Sequence, residues 1–579
     1  MTVALDTAAR LATPSLAKRG GFDLSTPVML LFAAGLCVLI VLPLGWLLVF
    51  ALRDQTGRAT LANFQHLLTD PTFLDPLMTT FVIAGSVSLA CGLVAAPMAW
   101  LVARSDMPGR NAVRLIITAS FVTPPFLGAI AWELLAAPNS GLLNQLWRAV
   151  TGDPWGEPLF DIYTLTGLIF VIACYTFPYV FVLVTNALAR VPGDFEDAAA
   201  MLGSSRWRTA RRITIPLALP ALVGGLLVAF LQAMTLFGSP AILALPAGFH
   251  TMTTKIWSLF QYPPKPELAA AAALPLLILT VILLRAQRAV LGRRSYAVVG
   301  AKNSAPRLVS LGALRWPALA LCIGVLCLPV FLPYGALINA AFSNVASQPL
   351  TFETFTLHNF SFVFLELSST KLAIKNTFLL GAMAATICAL VALVIAYLTS
   401  RANVRGHRLL GMLAMAPIAV PGIVLGVGLF LAYTRPPFVL YGTLWILLLA
   451  YVTIEMPAAY QQMQSAFHSI HPELEEAGRI CGATRLRVLR DVTAPLLRSS
   501  LVATWCFVFV AVVRELSAAV ILFTSETKVL SVLIFDLKES GDLAAIAVIG
   551  LSMLVLTALV IVAANSLPGG GATARLRNN

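Results

Sequence analysis

The sequence predicts an all-α polytopic membrane protein with about 12 transmembrane helices in two pseudo-symmetric halves of six. Three observations predict it. Of 579 residues, 59% are hydrophobic and only 11% are charged, and the mean hydropathy is +0.87. A soluble chain carries about 25% charged residues, so the apolar surplus must face something other than water. Apolar windows of the roughly 20 residues that a bilayer core requires recur along the chain. Finally, one polar segment occurs twice, as "EDAAAMLGSSRWRTARRITIP" (196–216) and "EEAGRICGATRLRVLRDVTAP" (475–495). Eight of the 21 positions are identical, at a constant offset of 279.

The windows fall at 28–52, 78–103, 112–136, 163–187, 217–241 and 268–290, and then at 316–341, 376–399, 409–433, 439–463, 496–523 and 543–565. They divide the chain into a tail (1–27), a first transmembrane unit (28–290), a linker (291–315), a second unit (316–565) and a C-terminal tail (566–579). With the N-terminus placed inside, 28 of the 39 Lys and Arg fall on inner segments and ten on outer ones. This is the positive-inside asymmetry. It puts both termini, the linker and both polar repeats in the cytoplasm. It also accounts for the net charge of +13 without nucleic acid. The first apolar run is too long for a usual signal-peptide core, so an uncleaved first helix is expected.

The eight cysteines lie mostly in apolar windows and show no metal-ligand or redox spacing, so neither disulfides nor a metal site is expected. The repeat extends beyond the polar segment. Pro178 matches Pro457, Leu222 and Val223 match Leu501 and Val502, and Phe230 matches Phe509, all at offset 279. Six helices per half is an even number, so the halves keep one orientation about an axis along the membrane normal. Repeats of this kind place a transport path at their interface. The largest outer segments, about 53–77, 137–162 and 342–375, have room only for short elements.

Each polar repeat reads as a helix–turn–helix. Pro192 suits a first helical position. Asp194, Glu196 and Asp197 complement the positive helix end. Gly203 can end the helix in the left-handed conformation. Ser204 or Ser205 can cap a second helix carrying Arg206, Arg208, Arg211 and Arg212, and Pro216 marks entry into the membrane. The second copy repeats the design with Pro472, Glu473, Glu475, Glu476, Gly482, Thr484, Arg485, Arg487, Arg490 and Pro495. A lone segment of this kind would be an ordinary charged loop. Two copies at one offset point to a docking element.

Asp197-Ala198-Ala199, Gly203, Ile213, Ile215-Pro216 in one half and Glu476-Ala477-Gly478, Gly482, Val492, Ala494-Pro495 in the other resemble the signature of ABC importer permeases. That signature reads Glu-Ala-Ala, three residues, Gly, nine residues, Ile-x-Leu-Pro. The departures are Asp for Glu, Gly for the second Ala, and Ala for Leu; the spacing is intact. The resemblance implies that residues about 192–204 and 471–483, with Glu196 and Glu475 among them, are coupling helices seated in clefts of two ATPase subunits. Two permease units fused in one chain further resemble the ferric-iron importer permeases, as do "LFGSPAIL" (236–243) and "RELSAAVIL" (514–522). Thiamine permeases are near relatives of that group. The resemblance then implies an inner-membrane permease working by alternating access, with its cargo delivered by a periplasmic binding protein.

The chain has no Gly-Lys-Ser/Thr for nucleotide phosphates, since none of its eight lysines follows a glycine. ATP and Mg would therefore belong to a partner, and the chain needs no cofactor of its own. No catalytic constellation stands out among the histidines, so an enzyme is not expected. Ionisable residues inside apolar windows are functional suspects because burying them is expensive. Glu455, in "YVTIEMPAAY", leads. Arg514 and Glu515 are expected toward the outer half of their helix, and Glu133 at the membrane interface. Prolines in "VTPPFLG" (Pro124, Pro125) and "APIAVPG" (Pro417, Pro421) break the hydrogen-bond ladder. With Pro178 and Pro457 they are expected beside the translocation path. An ion-gradient-driven secondary transporter is the rival reading, although the doubled hairpin would then have no purpose. Within the permease class, thiamine, polyamine, phosphonate or another small solute could replace iron.

Overall fold

The computed structural model describes residues 25–292, 308–401, 406–471 and 473–566. Both tails, most of the linker and Pro472 lie outside the described residues. The described residues are helical, with three isolated β-bridges and no sheet. In half one the principal helices are α1 (Ser25–Ala51), α2 (Pro71–Arg104), α3 (Arg110–Ala119), α4 (Pro125–Ala136), α5 (Leu165–Ala189), α6 (Gly193–Met201), α7 (Ile215–Thr235) and α8 (Pro266–Gly292). Half two has α9 (Arg315–Leu326), α10 (Leu332–Phe342), α11 (Ser368–Ser400), α12 (His407–Met415), α13 (Gly422–Tyr433), α14 (Leu444–His468), α15 (Glu473–Ile480), α16 (Arg498–Val513) and α17 (Leu543–Ser566). Nine helices among the described residues are long and apolar enough to span a membrane, or 12 if each of three bent pairs counts as one.

The prolines explain two of the bends. α3 and α4 meet at 102°, and α12 and α13 at 108°. Pro124 and Pro421 stand at the two breaks in extended conformation, as N-caps of α4 and α13. A proline disfavours helical geometry in the residue before it, so the ladder stops there and restarts in a new direction.

The core of each half is a three-helix pack, α2–α5–α7 and α11–α14–α16. The same small contacts recur in both. Cys91 Sγ donates to the Ala173 carbonyl at 3.7 Å, and Cys388 Sγ to the Val452 carbonyl at 3.6 Å. The cysteines are 297 apart and their acceptors 279 apart. The internal repeat therefore has two registers. The 18-residue difference sits between α4 and α5, where half one carries an extra outer helix, Leu142–Thr151.

The first helix of each half crosses to the other half. α1 packs against α12 and α13, while α9 and α10 pack against α3 and α4. Tyr433 Oη donates to the Val38 carbonyl at 3.1 Å, and Trp132 Nε1 to the Leu328 carbonyl at 3.2 Å. The second acceptor has a clear origin. Residues Cys327–Phe331 form a π turn, and Pro333 has no N–H to return to Leu328. The other half takes the freed carbonyl. A further pair joins the halves: Lys538 Nζ lies 2.5 Å from Glu133 Oε1, which also accepts from Tyr163 Oη at 2.7 Å. Glu133 is buried. The Glu133 that the sequence places at the membrane interface is thus also paired across the two halves.

The exchange depends on close backbone approach. A Cβ on Gly428 of α13 would lie 3.1 Å from the Pro43 carbonyl oxygen of α1, whereas one on Gly324 of α9 would meet nothing within 4 Å. Gly428→Leu is expected to destabilise the purified protein by about 1–3 kcal/mol, the usual cost of overpacking. Gly324→Leu should leave it unchanged. Thermal unfolding midpoints of both variants decide this; equal midpoints would refute the proposed packing.

Candidate functional site

The two polar repeats form matching hairpins. α6 begins after Pro192, which is the N-cap and not the first helical residue. Asp194 and Glu196 occupy its first turn, and Asp197 falls just beyond. Gly203 and Gly482 have φ of +76° and +86°, the left-handed conformation expected of them. Ser205 caps the second helix by accepting from the Arg208 N–H, and Thr484 does the same for Arg487. Of Arg206, Trp207, Arg485 and Leu486 only the backbone is described.

The second helix does not stop before the membrane. Residues Ala210–Thr214 and Leu489–Thr493 widen into π turns immediately ahead of the Pro216 and Pro495 positions. An α-helical turn would press each proline ring against the carbonyl four residues back. The wider turn relieves that clash.

Each hairpin is held by a three-part clamp. In half one, Arg104 at the end of α2 lies 3.7 Å from Glu196 and donates to the Val191 carbonyl at 3.0 Å. Thr214 Oγ1 donates to Glu196 Oε1 at 2.7 Å. In half two, Arg401, just beyond α11, lies 3.4 Å from Glu475 and donates to the Phe467 and Ile470 carbonyls at 3.1 and 2.5 Å. Thr493 Oγ1 donates to Glu475 Oε1 at 3.2 Å. Glu196 and Glu475 therefore face inward as clamp residues. Asp197, Ala198, Glu476 and Ala477 are on the exposed side.

A Cβ on Gly478 would sit 3.1 Å from Val488 Cγ2. The equivalent pair in half one is Ala199 with Thr209, a residue of the same shape as valine. The hairpin tips are apolar and open: Leu202 is 88% exposed and Ile480 86%.

The sequence reading missed both arginines. They lie past the apolar windows and are related by 297, so they fall outside the 279 register. The signal was present in "ARSDMPGR" and "SRANVRGH", where an arginine precedes a glycine by five residues in each half. Both glycines, Gly109 and Gly406, are left-handed N-caps of α3 and α12.

Deep in the bundle a second group forms. The window 496–523 is not one helix. α16 ends at Val513, and a short helix restarts at Ala519. Arg514 and Glu515 therefore stand in a break, which corrects their expected place along a continuous helix. Glu515 causes the break in part, because its carboxylate accepts the Ala518 and Ala519 N–H groups at 3.1 and 3.3 Å. Arg514 Nη1 donates to the Phe121 carbonyl in the α3–α4 break of the other half. A Cβ on Gly422, at the α12–α13 break, would lie 3.3 Å from Glu515 Oε1. Both helix breaks thus converge on one charged dipeptide. Glu455, on α14, lies within the electrostatic reach of both charges.

The candidate prolines divide around this junction. Pro125 and Pro421 flank the two breaks, and the Pro125 carbonyl accepts from Ser239 Oγ at 2.9 Å. Pro178 and Pro457 are buried inside α5 and α14. Tyr179, next to Pro178, packs edge-on against Phe121 at 4.7 Å.

The clamps are of unequal depth. The side chain of Arg104 is 1% exposed and that of Arg401 14%. Removing one member of a buried pair costs about 3–5 kcal/mol, because the other is left charged without a partner. Arg104→Met is expected to destabilise by that amount and Arg401→Met by less. Arg104→Met with Glu196→Met should recover most of the loss. Thermal midpoints of the three variants test this; a double variant no better than Arg104→Met would dissolve the clamp.

The comparisons with known proteins agree on one family. Residues 88–296 and 389–568 match the family described as binding-protein-dependent transport system inner membrane component. The chain is 26% identical over 448 residues to the ferric transport system permease protein FbpB of Actinobacillus pleuropneumoniae, an alignment covering 76% of this chain and 63% of that relative. It thus spans just under two thirds of that protein. It is 20% identical to an Fe(3+)-transport system permease protein of Haemophilus influenzae, over 88% of this chain and 93% of the relative. The sulfate transport system permease protein CysT of Escherichia coli is 27% identical, over 48% of this chain and 96% of its own length. With both halves matched, the chain belongs to the family of inner membrane components of binding-protein-dependent transport systems.

Proposed function

We propose that this chain is the transmembrane permease subunit of an ATP-driven ABC importer, two permease units fused as 28–290 and 316–565, and that its cargo is ferric iron. The observation that carries the reading is the pair of clamped hairpins. Each presents an apolar, exposed tip on a rigid mount, and the two mounts use the same three residue types. Exposed apolar side chains at such positions mark an interaction site. Two ATPase subunits, one per hairpin, are the partners this reading calls for. Hairpins, linker and both termini would lie in the cytoplasm of a cell with an inner membrane. A periplasmic binding protein would deliver cargo to the opposite face.

In this reading Asp197, Ala198, Ala199, Gly203, Glu476, Ala477, Gly478 and Gly482 form the coupling surface, while Glu196 and Glu475 transmit its movement to α2 and α11. ATP binding on the partners draws the hairpins together. The helix breaks around Arg514, Glu515 and Glu455 lie between the two cores, where a path between the halves would run. Pro125, Pro178, Pro421 and Pro457 let helices bend there without exposing backbone to lipid. Support for iron comes from the FbpB relative and the Haemophilus Fe(3+) permease, which align with most of this chain.

Two experiments test the proposal. Radiolabelled ferric iron uptake should depend on this gene and should vanish on ATP depletion. Gene-independent uptake, with the protein and its partners present, would remove iron as the cargo. Separately, Gly203→Pro with Gly482→Pro forces φ near −65° where the turns need positive values. That double variant should insert into the membrane normally and lose uptake; normal uptake would sink the coupling role.

A further inference from the structure

Beside the second clamp lies a cavity of about 610 Å3 lined by helices from both halves. Thr399 lines it, two residues before the clamp arginine, so the cavity opens on the hairpin side. α8 of half one contributes Leu284, Arg285 and Arg288. α12 of half two contributes Arg408 and Met412, and Gln464 of α14 closes the back. The residues from α8 and from α12 follow helical spacing, so each set forms one face.

The cavity is polarised. Arg285 and Arg288 lie nearest the hairpin-side end of α8, with Leu284 and Val281 deeper. Arg408 stands in the first turn of α12, with Met412 and Met415 one and two turns further in. Cations therefore gather at the mouth and apolar side chains at the floor. No Asp or Glu lines the cavity. Arg285, Arg288 and Arg408 are exposed, and none makes an ion pair or hydrogen bond among the described residues. The wall is open toward lipid, since Met412 is 69% exposed. Positive-inside bias alone explains basic residues on this side of the membrane. It does not explain why three arginines from both halves converge on an apolar-floored void that excludes acids.

We propose that this cavity binds an anionic phospholipid of the adjoining leaflet, with its phosphate headgroup among Arg285, Arg288 and Arg408 and an acyl chain along the floor. Basic pockets between transmembrane helices on the cytoplasmic side suit such headgroups. The site has a mechanical consequence. Its walls belong to both halves, so the lipid favours conformations that keep α8 beside α12 and α14.

The test is native mass spectrometry of the purified full chain titrated with cardiolipin, phosphatidylglycerol or phosphatidylcholine. The two anionic lipids should be retained over phosphatidylcholine. Each arginine is expected to contribute about fivefold, so Arg285→Gln/Arg288→Gln/Arg408→Gln should weaken retention roughly a hundredfold. Arg408→Glu alone, with its thermal midpoint measured beside the wild type, serves where the triple variant folds poorly, and should weaken retention as well. Equal retention by wild type and Arg408→Glu would overturn the proposal. So would displacement of the lipid by millimolar inorganic phosphate, which would make the site one for free anions. Binding is read without transport, so failure here leaves the permease reading intact.

Discussion

A bilayer offers no water to an unsatisfied backbone group, and the structure of this chain is largely an answer to that constraint. Several of the helix breaks among the described residues come with substitute partners. Glu515 supplies acceptors to the N–H groups of Ala518 and Ala519. Arg514 takes the Phe121 carbonyl in the opposite half. Ser239 takes the carbonyl of Pro125 and Trp132 that of Leu328. The partners of a break usually come from another helix, and at Phe121 and Leu328 from the other half. Breaking a helix in lipid therefore ties the halves together. The exchange of first helices follows the same logic, since α1 and α10 lie where broken helices need company.

The clamps apply the constraint at the membrane edge. A guanidinium at the end of α2 or α11 has two needs, a counter-charge and acceptors for its N–H groups. The turn carbonyls at Val191, Phe467 and Ile470 supply acceptors, and Glu196 and Glu475 supply charge. The result fixes a short hairpin that could not be stable alone. Isolated helices of eight or nine residues are marginal in water, so α6 and α15 depend on this mount for their orientation.

Much of this was legible in the sequence because hydrophobicity and proline act locally. The 12 windows, the two proline breaks and the left-handed glycines all depend on neighbours within one or two turns. The clamp arginines were not legible, since Arg104 meets Glu196 across 92 positions and its counterpart follows a different repeat register. Arg514 and Glu515 misled for another reason. Their window is apolar enough to be a single helix, and a carboxylate that competes for N–H groups three and four residues on helps to interrupt it. The Glu133–Lys538 pair was equally hidden, because its members lie in different halves. Pairings between halves have no local trace.

The halves share a plan but mount their hairpins differently. In half one the hairpin's second helix runs through its π turn directly into α7, and Ala210–Thr235 is one continuous apolar span. In half two the corresponding segment bends by 64° between Leu496 and Arg498. The first clamp is also strapped. The described end of the linker lies alongside it: Val309 N–H donates to the Arg104 carbonyl at 2.7 Å, and Asp106 N–H to the Val309 carbonyl at 3.2 Å. Leu311 N–H donates to Asp106 Oδ1 at 2.8 Å and holds that carboxyl below its ordinary pKa. Half two thereby grips the clamp of half one through its own leading segment. A force applied at the first hairpin has a continuous path into α7 and, through the strap, into α9. The same force at the second hairpin meets a bend at Leu497 and a shallower clamp.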